Sequence, residues 1–275
     1  MATQPTTAGD DTAADAASSQ TFDALLAPLA DPSAAGTAPA VAAIVQAVND
    51  RAGRLSDAQQ VENLGWDLSC AVLDAAGRLP HDRQGALLEF VRQLTATAPR
   101  GPDGAPLTFR GEPLWRTIPG FGWAVRDWFN FDADDPSATP QQHAERLNTV
   151  AFLARLTEFA AAAGGPPQLS FALMALWSIR AALEDGGAEG RYSRSAVALA
   201  ATWIALSGRV LRELSARGEP MPGRTAVPGA RFGDRGWNGF SEDRWQVWKA
   251  EMEAARDRLA PDETVQAAVR VMSEL

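Results

Sequence analysis

The segment AVALAATWIALSGRVL, residues 196–211, decides the fold class because it is apolar on almost every side of a helix. A helix with one apolar stripe lies at a protein surface, whereas a helix that is apolar all round lies in the interior. A second segment of this kind, FALMALWSIRAALE at 171–184, precedes it. Together they predict a pair of interior helices, which carry Trp177 and Trp203 among Leu, Ala and Ile.

Helical periodicity continues on both sides of this pair. Apolar residues recur at spacings of three and four, which is typical of helices with one buried face. No segment shows the strict alternation that indicates a half-buried strand. We therefore predict an all-α protein, a multi-helix orthogonal or layered bundle. Its further helices are expected from about Pro39 and near 56–77, 82–94, 140–163, 241–259 and 262–274.

The first twenty residues differ from the rest of the chain. They contain no large apolar group after Met1 and cannot bury enough surface to offset the entropy of ordering. We predict a disordered tail at 1–20, followed by a single helical domain at 21–275. Within that domain, the Gly/Pro-rich loop 99–113 separates N-terminal helices at 38–97 from a helical core at 114–275.

Charge argues against a nucleic-acid partner. The net charge is −9, and the first fifty residues contribute six aspartates and no basic residue, so the remaining chain carries −9 + 6 = −3. A near-neutral body without a basic run offers little attraction to phosphates. No nucleic-acid partner is expected.

The residue inventory also excludes several chemistries. One cysteine, Cys70, and two histidines, His81 and His143, cannot form a usual zinc site, and no glycine-rich phosphate loop is present. We expect no metal and no cofactor. A single cysteine, no visible targeting signal and no apolar run of membrane-spanning length favour a cytoplasmic protein without a membrane partner.

The stretch PLWRTIPGFGWAVRDWFNFD, residues 113–132, is densely aromatic. If 120–131 is helical, most of its apolar side chains fall on one arc, which we assign to the core. The arc consists of Phe121, Ala124, Val125, Trp128, Phe129 and Phe131. Trp123 lies on the opposite side, one turn from Arg126 and Asp127. An indole beside a guanidinium and a carboxylate can stack a planar ligand, so Trp123, Arg126 and Asp127 form the candidate ligand-binding site. The alternative is that Trp123 packs under a neighbouring helix.

Two further segments receive structural interpretations. The run DADD at 132–135 resembles the metal-binding aspartates of class I terpene cyclases, but the second ligand motif of those enzymes is missing, so it is interpreted as a solvated loop. The segment between Arg217 and Phe240 is long and carries several arginines. It is interpreted as a mobile surface connection, with a lid over an anionic ligand as the alternative.

Several motifs in the second half of the chain occur together in a known order. They are LW…IPGFG…R.W, NTVAFLARLT, FALMALWSIRAALE, AATWIALSGRVL and WNGFSEDRWQVWK, over about 114–273. This pattern resembles the fungal domain of unknown function family 3632, a family of all-helical proteins. The resemblance implies a fungal source and a helical fold, and it assigns no catalytic residue.

Two functions remain open at this point. The first is a small-molecule-binding helical protein, as a cofactor-free enzyme or an accessory protein of fungal secondary-metabolite biosynthesis, with its ligand beside Trp123. The second is a non-catalytic adaptor whose partner is another protein. A deep pocket would favour the first, and a broad exposed apolar surface would favour the second.

Overall fold

The structure, a computed structural model, describes residues 22–30, 38–186 and 191–275. The tail predicted at 1–20 lies outside these residues. Helices and one short hairpin make up the described chain, so the predicted all-α class is confirmed. The chain divides into two compact units, Met1–Trp128 and Phe129–Leu275. That 21–275 behaves as one domain stays a prediction.

Over residues 38–128, the first unit contains three long α-helices, a hairpin and a short α-helix, besides a 3-10 turn. These are α1 (Ala38–Ala52), α2 (Ala58–Arg78), α3 (Gly85–Thr95), strands β1 (Thr108–Phe109) and β2 (Glu112–Pro113), and α4 (Phe121–Trp128). Helix α1 packs against α3, and α4 packs against α2. The fully buried Trp115 ties the segment before α4 to α1, because its indole Nε1 donates to Asn49 Oδ1 at 2.8 Å.

The turn into α4 depends on a close approach to α2. A Cβ on Gly65 would lie 2.5 Å from the Pro119 ring, so only glycine leaves room for the turn. The backbone of Ile118 has φ of 45°, an unusual conformation for a β-branched residue, and its side chain is 1% exposed. Burial of Ile118 and the contact at Gly65 therefore fix where α4 begins.

Over residues 129–186 and 191–275, the second unit contains five α-helices. These are α5 (Pro140–Ala161), α6 (Ala172–Ile179) with a π-helical continuation (Arg180–Asp185), α7 (Arg194–Arg217), α8 (Glu242–Arg258) and α9 (Glu263–Glu274). Helix α7 packs against α5, α6, α8 and α9, and Trp203 within it is fully buried. The prediction that this segment is an interior helix is confirmed.

Helix α7 is kinked at Ser207, whose φ of −135° is not helical. The Ser207 hydroxyl donates to the carbonyl of Trp203 at 2.8 Å, a bond to residue i−4 that often bends helices. At the next position, a Cβ on Gly208 would lie 2.6 Å from Val271 Cγ1 of α9. The kink and the glycine together let α9 pack closely against α7.

A buried ion pair joins α8 to the π-helical turn. Arg244 and Glu184 are both 0% exposed, and they form two parallel hydrogen bonds of 2.7 and 2.9 Å. The remaining guanidinium N–H groups donate to the carbonyls of Ala226, Val227 and Gly239. The Glu184 carboxylate also accepts from Trp248 Nε1 at 2.6 Å and from the Gly229 backbone N–H at 2.7 Å. Every donor of the arginine is used, and the carboxylate accepts four hydrogen bonds.

This pair orders part of the loop between α7 and α8. Three carbonyls and one N–H group of that loop are bound to Arg244 and Glu184. Gly239, with φ of 110°, lies so close to the chain at 219–221 that a Cβ there would lie 2.4 Å from the Glu219 carbonyl oxygen. Sequence favoured a mobile connection here, but the structure holds residues 226–239 against the helices.

Replacing Glu184 with glutamine is expected to lower the free energy of unfolding by about 3–5 kcal/mol, because it leaves the buried Arg244 charge uncompensated. The matched control is Arg209→Gln, at an arginine whose side chain is 51% exposed and pairs with Glu158 and Glu213. That change should cost about 0–1 kcal/mol. Urea denaturation of both variants measures the difference, and equal losses would contradict the structural role of the pair.

The double variant Glu184→Leu with Arg244→Met distinguishes the contribution of the ion pair from that of the hydrogen bonds around it. Apolar replacement of an isolated buried pair is often neutral. Here it also strips the carbonyls of Ala226, Val227 and Gly239 of their donors. We therefore expect the double variant to remain less stable than the native chain.

Candidate functional site

The three residues predicted to bind a ligand lie together on the outer face of α4. Phe121, Ala124 and Val125 face the core, as predicted, whereas Trp123, Arg126 and Asp127 are exposed. The Trp123 side chain is 67% exposed, so it does not pack under a neighbouring helix. Ligand binding at this face stays a prediction.

An arginine from the hairpin turn lies beside the Trp123 ring. The guanidinium carbon of Arg110, from the hairpin turn, lies 5.8 Å from the centroid of the Trp123 ring. Arg110 has φ of 52°, and its guanidinium also lies 5.2 Å from the Phe109 ring. A hairpin residue that helical spacing did not indicate therefore supplies a cation–π contact to Trp123.

The aromatic arc predicted on 120–131 is only partly correct. Helix α4 ends at Trp128, three residues earlier than assumed, so Phe129 and Phe131 leave the helical arc. Trp128 is half-buried rather than enclosed. Phe129 and Phe131 belong to the second unit, where their rings lie 5.6 Å apart and face a cavity.

This cavity, which we call the Trp177 cavity, has a volume of about 530 Å³ and lies within the second unit. Three segments enclose it: the chain leaving Phe129, the α6 helix with its π-helical turn, and the start of α7. Its lining residues are Phe129, Phe131, Asp132, Ala133, Asp134, Trp177, Ser178, Ala181, Asp185, Gly186, Arg191, Ser193, Ala196 and Leu199. None of the three predicted site residues is among them.

The aromatic wall of the cavity is formed by Phe129, Phe131 and Trp177. The guanidinium carbon of Arg146 lies 4.6 Å from the centroid of the Phe131 ring. Within the described chain, the indole Nε1 of Trp177 is buried and has no hydrogen-bond partner. A buried donor left unpaired costs about 1–3 kcal/mol, and such groups in native structures call for an explanation.

The π-helical turn shapes one side of the cavity. It closes with a hydrogen bond from the Gly186 N–H to the Ala181 carbonyl, five residues back. Along it, Glu184 is fully buried, whereas Asp185 is exposed and lines the cavity. Single π-helical turns are frequent at functional sites. Of these two adjacent carboxylates, Glu184 therefore lies in the core and Asp185 lies at the cavity.

The polar groups of the cavity are mainly aspartates. The Ser193 hydroxyl donates to Asp134, and Asp132 accepts from the Asp134 backbone N–H at 2.9 Å. Asp185 accepts from the Ala230 N–H at 2.6 Å and lies 3.5 Å from Arg180 Nε. Two aspartates of the DADD run, interpreted from sequence as a solvated loop, therefore form part of the cavity wall.

The rim of the cavity is held from outside by an ion-pair network. Arg231 donates to both carboxylate oxygens of Glu251 and to the carbonyls of Leu183 and Gly186. Tyr192 donates to the same carboxylate at 2.7 Å. Burial raises the pKa of Glu251, but the hydrogen bonds from Arg231 and Tyr192 outweigh it and leave that pKa below its usual value. The ionised form of Glu251 is therefore the one that fixes the rim.

The lone cysteine is not a nucleophile. Burial, and then the carboxylates of Asp74, Asp67 and Asp127, raise the pKa of the Cys70 thiol to about 11. The thiolate is the reactive form, so Cys70 stays protonated and unreactive near neutral pH. Over the part of the chain that the structure describes, no group of three or more His, Cys, Asp or Glu side chains is arranged to hold a metal ion.

A comparison with known families identifies the chain. A family model described as "Protein of unknown function (DUF3632)" matches residues 70–252, two thirds of the sequence. The chain belongs to the DUF3632 family. The match begins earlier and ends earlier than the resemblance expected at 114–273. It includes every lining residue of the Trp177 cavity and both members of the buried ion pair, Glu184 and Arg244.

Other comparisons add no named relative. No curated protein and no solved structure matches this DUF3632 chain. Among the described residues, no helix has the length and apolar character needed to cross a membrane.

Sequence reasoning missed the Trp177 cavity, although its signals are visible. Phe129 and Phe131 are aromatic residues just before an acidic run, and Asp185 ends an otherwise apolar helix. The pattern places these residues on two segments that are more than fifty positions apart in the sequence. These residues meet in the structure because of the π-helical turn, and no sequence pattern in this segment predicts that turn.

The two tryptophans of α4 should differ in stability cost. Trp123→Ala is expected to change the free energy of unfolding by no more than about 0.5 kcal/mol, because the side chain is exposed. Trp128→Ala should cost clearly more, but less than the roughly 3–5 kcal/mol of an enclosed tryptophan. Thermal denaturation of both variants provides the measurement. A large loss at Trp123 would place that residue in a packed interface instead.

A second pair of substitutions tests the unpaired indole. Trp177→Phe removes no hydrogen bond, whereas Trp248→Phe removes a bond to the buried Glu184 carboxylate. Hydrogen bonds to charged groups contribute about 1.5–3 kcal/mol. We expect Trp248→Phe to be the more destabilising by about that amount in urea titrations. Equal losses would mean that the Trp177 N–H has a partner in solution.

Proposed function

We propose that this DUF3632 protein binds a small organic molecule in the Trp177 cavity. The observation that carries the proposal is an apolar cavity of about 530 Å³ with three aromatic side chains and a few polar groups in its wall. Ligand sites have volumes of about 300–1,000 Å³ and are lined by aromatic and apolar side chains with a few polar groups. The proposal concerns binding and assigns no reaction.

The proposed site differs from the one predicted from sequence. Trp123, Arg126 and Asp127 lie on an exposed helix face, whereas a small ligand gains most where it is enclosed. The Trp177 cavity offers a concave surface, open to solvent on one side, with hydroxyl groups from Ser178 and Ser193 and carboxylates to orient a ligand. The small-molecule hypothesis is therefore retained and its site moved.

A protein-interaction module is the second candidate function, and Trp123 is the observation that favours it. A tryptophan that is 67% exposed beside an arginine is typical of interface hot spots, in which both residue types are enriched. Under this candidate, Trp123, Arg126 and Asp127 contact a protein partner. Trp123→Ala would then weaken partner binding and leave the cavity unaffected.

The cellular setting is also part of the proposal. The resemblance that implied a fungal source suggests an accessory protein or a cofactor-free enzyme of secondary-metabolite biosynthesis. The single cysteine favours the cytoplasm. Neighbouring genes for polyketide or terpene synthases would support this setting, and localisation of a tagged protein tests the compartment.

The binding proposal is tested with Nile red, an uncharged fluorophore whose emission rises in apolar sites. We expect the native protein to bind it saturably, with one dye per chain. Ala181 lines the cavity and is exposed, so Ala181→Trp should fill the cavity without disturbing the core. This variant should lose Nile red binding at least tenfold.

The matched control is Ala216→Trp, which adds the same ring at an exposed position of α7 outside the cavity. It should bind Nile red like the native protein. If both variants bind the dye equally well, or if the native protein does not bind it, the cavity is not a ligand site.

A further inference from the structure

We infer that the Trp177 cavity selects organic cations, namely an amine or quaternary ammonium group attached to an apolar body. This inference rests on the proposed binding function and specifies its ligand class. It follows from two features of the same cavity, the aromatic wall and the excess of carboxylates.

The aromatic wall suits a positively charged group. Faces of aromatic rings carry negative potential and attract cations within about 6 Å, and quaternary ammonium recognition uses this arrangement. The Trp177 and Phe129 rings contribute to the wall, together with Phe131. Arg146, at 4.6 Å from the Phe131 ring, shows that the rings of this region already attract one cation.

The charged groups of the wall give it a negative balance. Three aspartates face one arginine, Arg191, among the lining residues. Asp185 is compensated by Arg180, 3.5 Å away. Arg146 lies outside the lining and donates to the Asp132 backbone carbonyl at 3.0 Å. Among the lining residues, Asp132 and Asp134 still outnumber Arg191. Carboxylates in a concave site with apolar walls concentrate the field and raise the local concentration of cations.

The carboxylates retain the capacity to accept further hydrogen bonds. An ionised carboxylate has about four acceptor positions. The Asp134 side chain accepts from the Ser193 hydroxyl, which holds Asp134 at the cavity, and Asp132 accepts from one backbone N–H. A protonated amine would donate to these oxygens, while the apolar body of the ligand would contact Ala133, Ala196 and Leu199.

Calorimetric titration with three compounds of similar size tests the charge selectivity. Benzyltrimethylammonium carries the cation, neopentylbenzene is its uncharged carbon isostere, and phenylacetate is an anion. At physiological salt, we expect the cation to bind at least tenfold more tightly than the isostere, and the anion more weakly than either. Equal binding of cation and isostere, or tighter binding of the anion, would overturn the inference.

Two double variants of equal charge change assign the selectivity to the cavity. Asp132→Asn with Asp134→Asn should remove most of the preference for the cation over the isostere. The control, Asp135→Asn with Asp257→Asn, removes two charges outside the cavity lining and should leave the preference unchanged. A preference that survives the first variant, or is lost in the control, would contradict the assignment.

Failure of the inference is distinguishable from failure of the proposed function. If Nile red binds in a manner blocked by Ala181→Trp while benzyltrimethylammonium gives no heat, the cavity binds ligands but does not select cations. If neither the dye nor any of the three compounds binds, both proposals are wrong.

Discussion

The buried pair between Glu184 and Arg244 is the interaction on which the rest of the second unit depends. Two charges fully removed from water are tolerated only when hydrogen bonds satisfy their remaining groups. Here those hydrogen bonds come from Trp248 of α8 and from the loop at 226–239, and Glu184 itself belongs to the π-helical turn. If α8, the π-helical turn or the loop moved, a buried charge would lose its hydrogen-bond partners or become exposed to water. The pair therefore fixes the mutual arrangement of these three segments.

That arrangement determines the cavity. Glu184 is anchored in the core, so its neighbour Asp185 lies at the cavity surface, and the Ala230 N–H binds it there. Arg231, one residue further along the loop, holds the carbonyls of Leu183 and Gly186 and so fixes the end of the turn. A loop outside the cavity thus positions one of its walls. The lid interpretation considered from sequence would require this loop to close over an anionic ligand. Arg231 of the loop is instead bound to Glu251 and to two backbone carbonyls, and Arg235 lies 3.2 Å from Asp243.

Sequence periodicity was sufficient for the helices but not for the site. The long apolar segments around Trp177 and Trp203 appear as helices within a few residues of their expected bounds, and α8 begins at Glu242, next to the expected position 241. Burial of Arg244 escaped detection because a charged residue in a helical pattern is ordinarily assigned to the surface. Arg244 shares a helix face with Trp248, four positions later. A charged residue on that apolar face was the feature of the sequence that could have indicated its burial. Its partner is 60 residues away, and no local pattern connects the two. The cavity was missed for a similar reason, because a π-helical turn changes which residues share a face.

The separation between Glu184 and Arg244 also bears on how the unit folds. Two residues that are 60 positions apart in the sequence must meet before the pair can form. Closing a loop of this length costs conformational entropy before any contact offsets it. Placing either charge in a dry interior before its carbonyl and N–H partners arrive is unfavourable. The network is therefore expected to assemble late on the folding pathway, after the helices have met. Interactions that form late affect mainly the unfolding rate. By this reasoning, the pair contributes most to the lifetime of the native state, and the cavity wall that it holds would persist as long as the pair does.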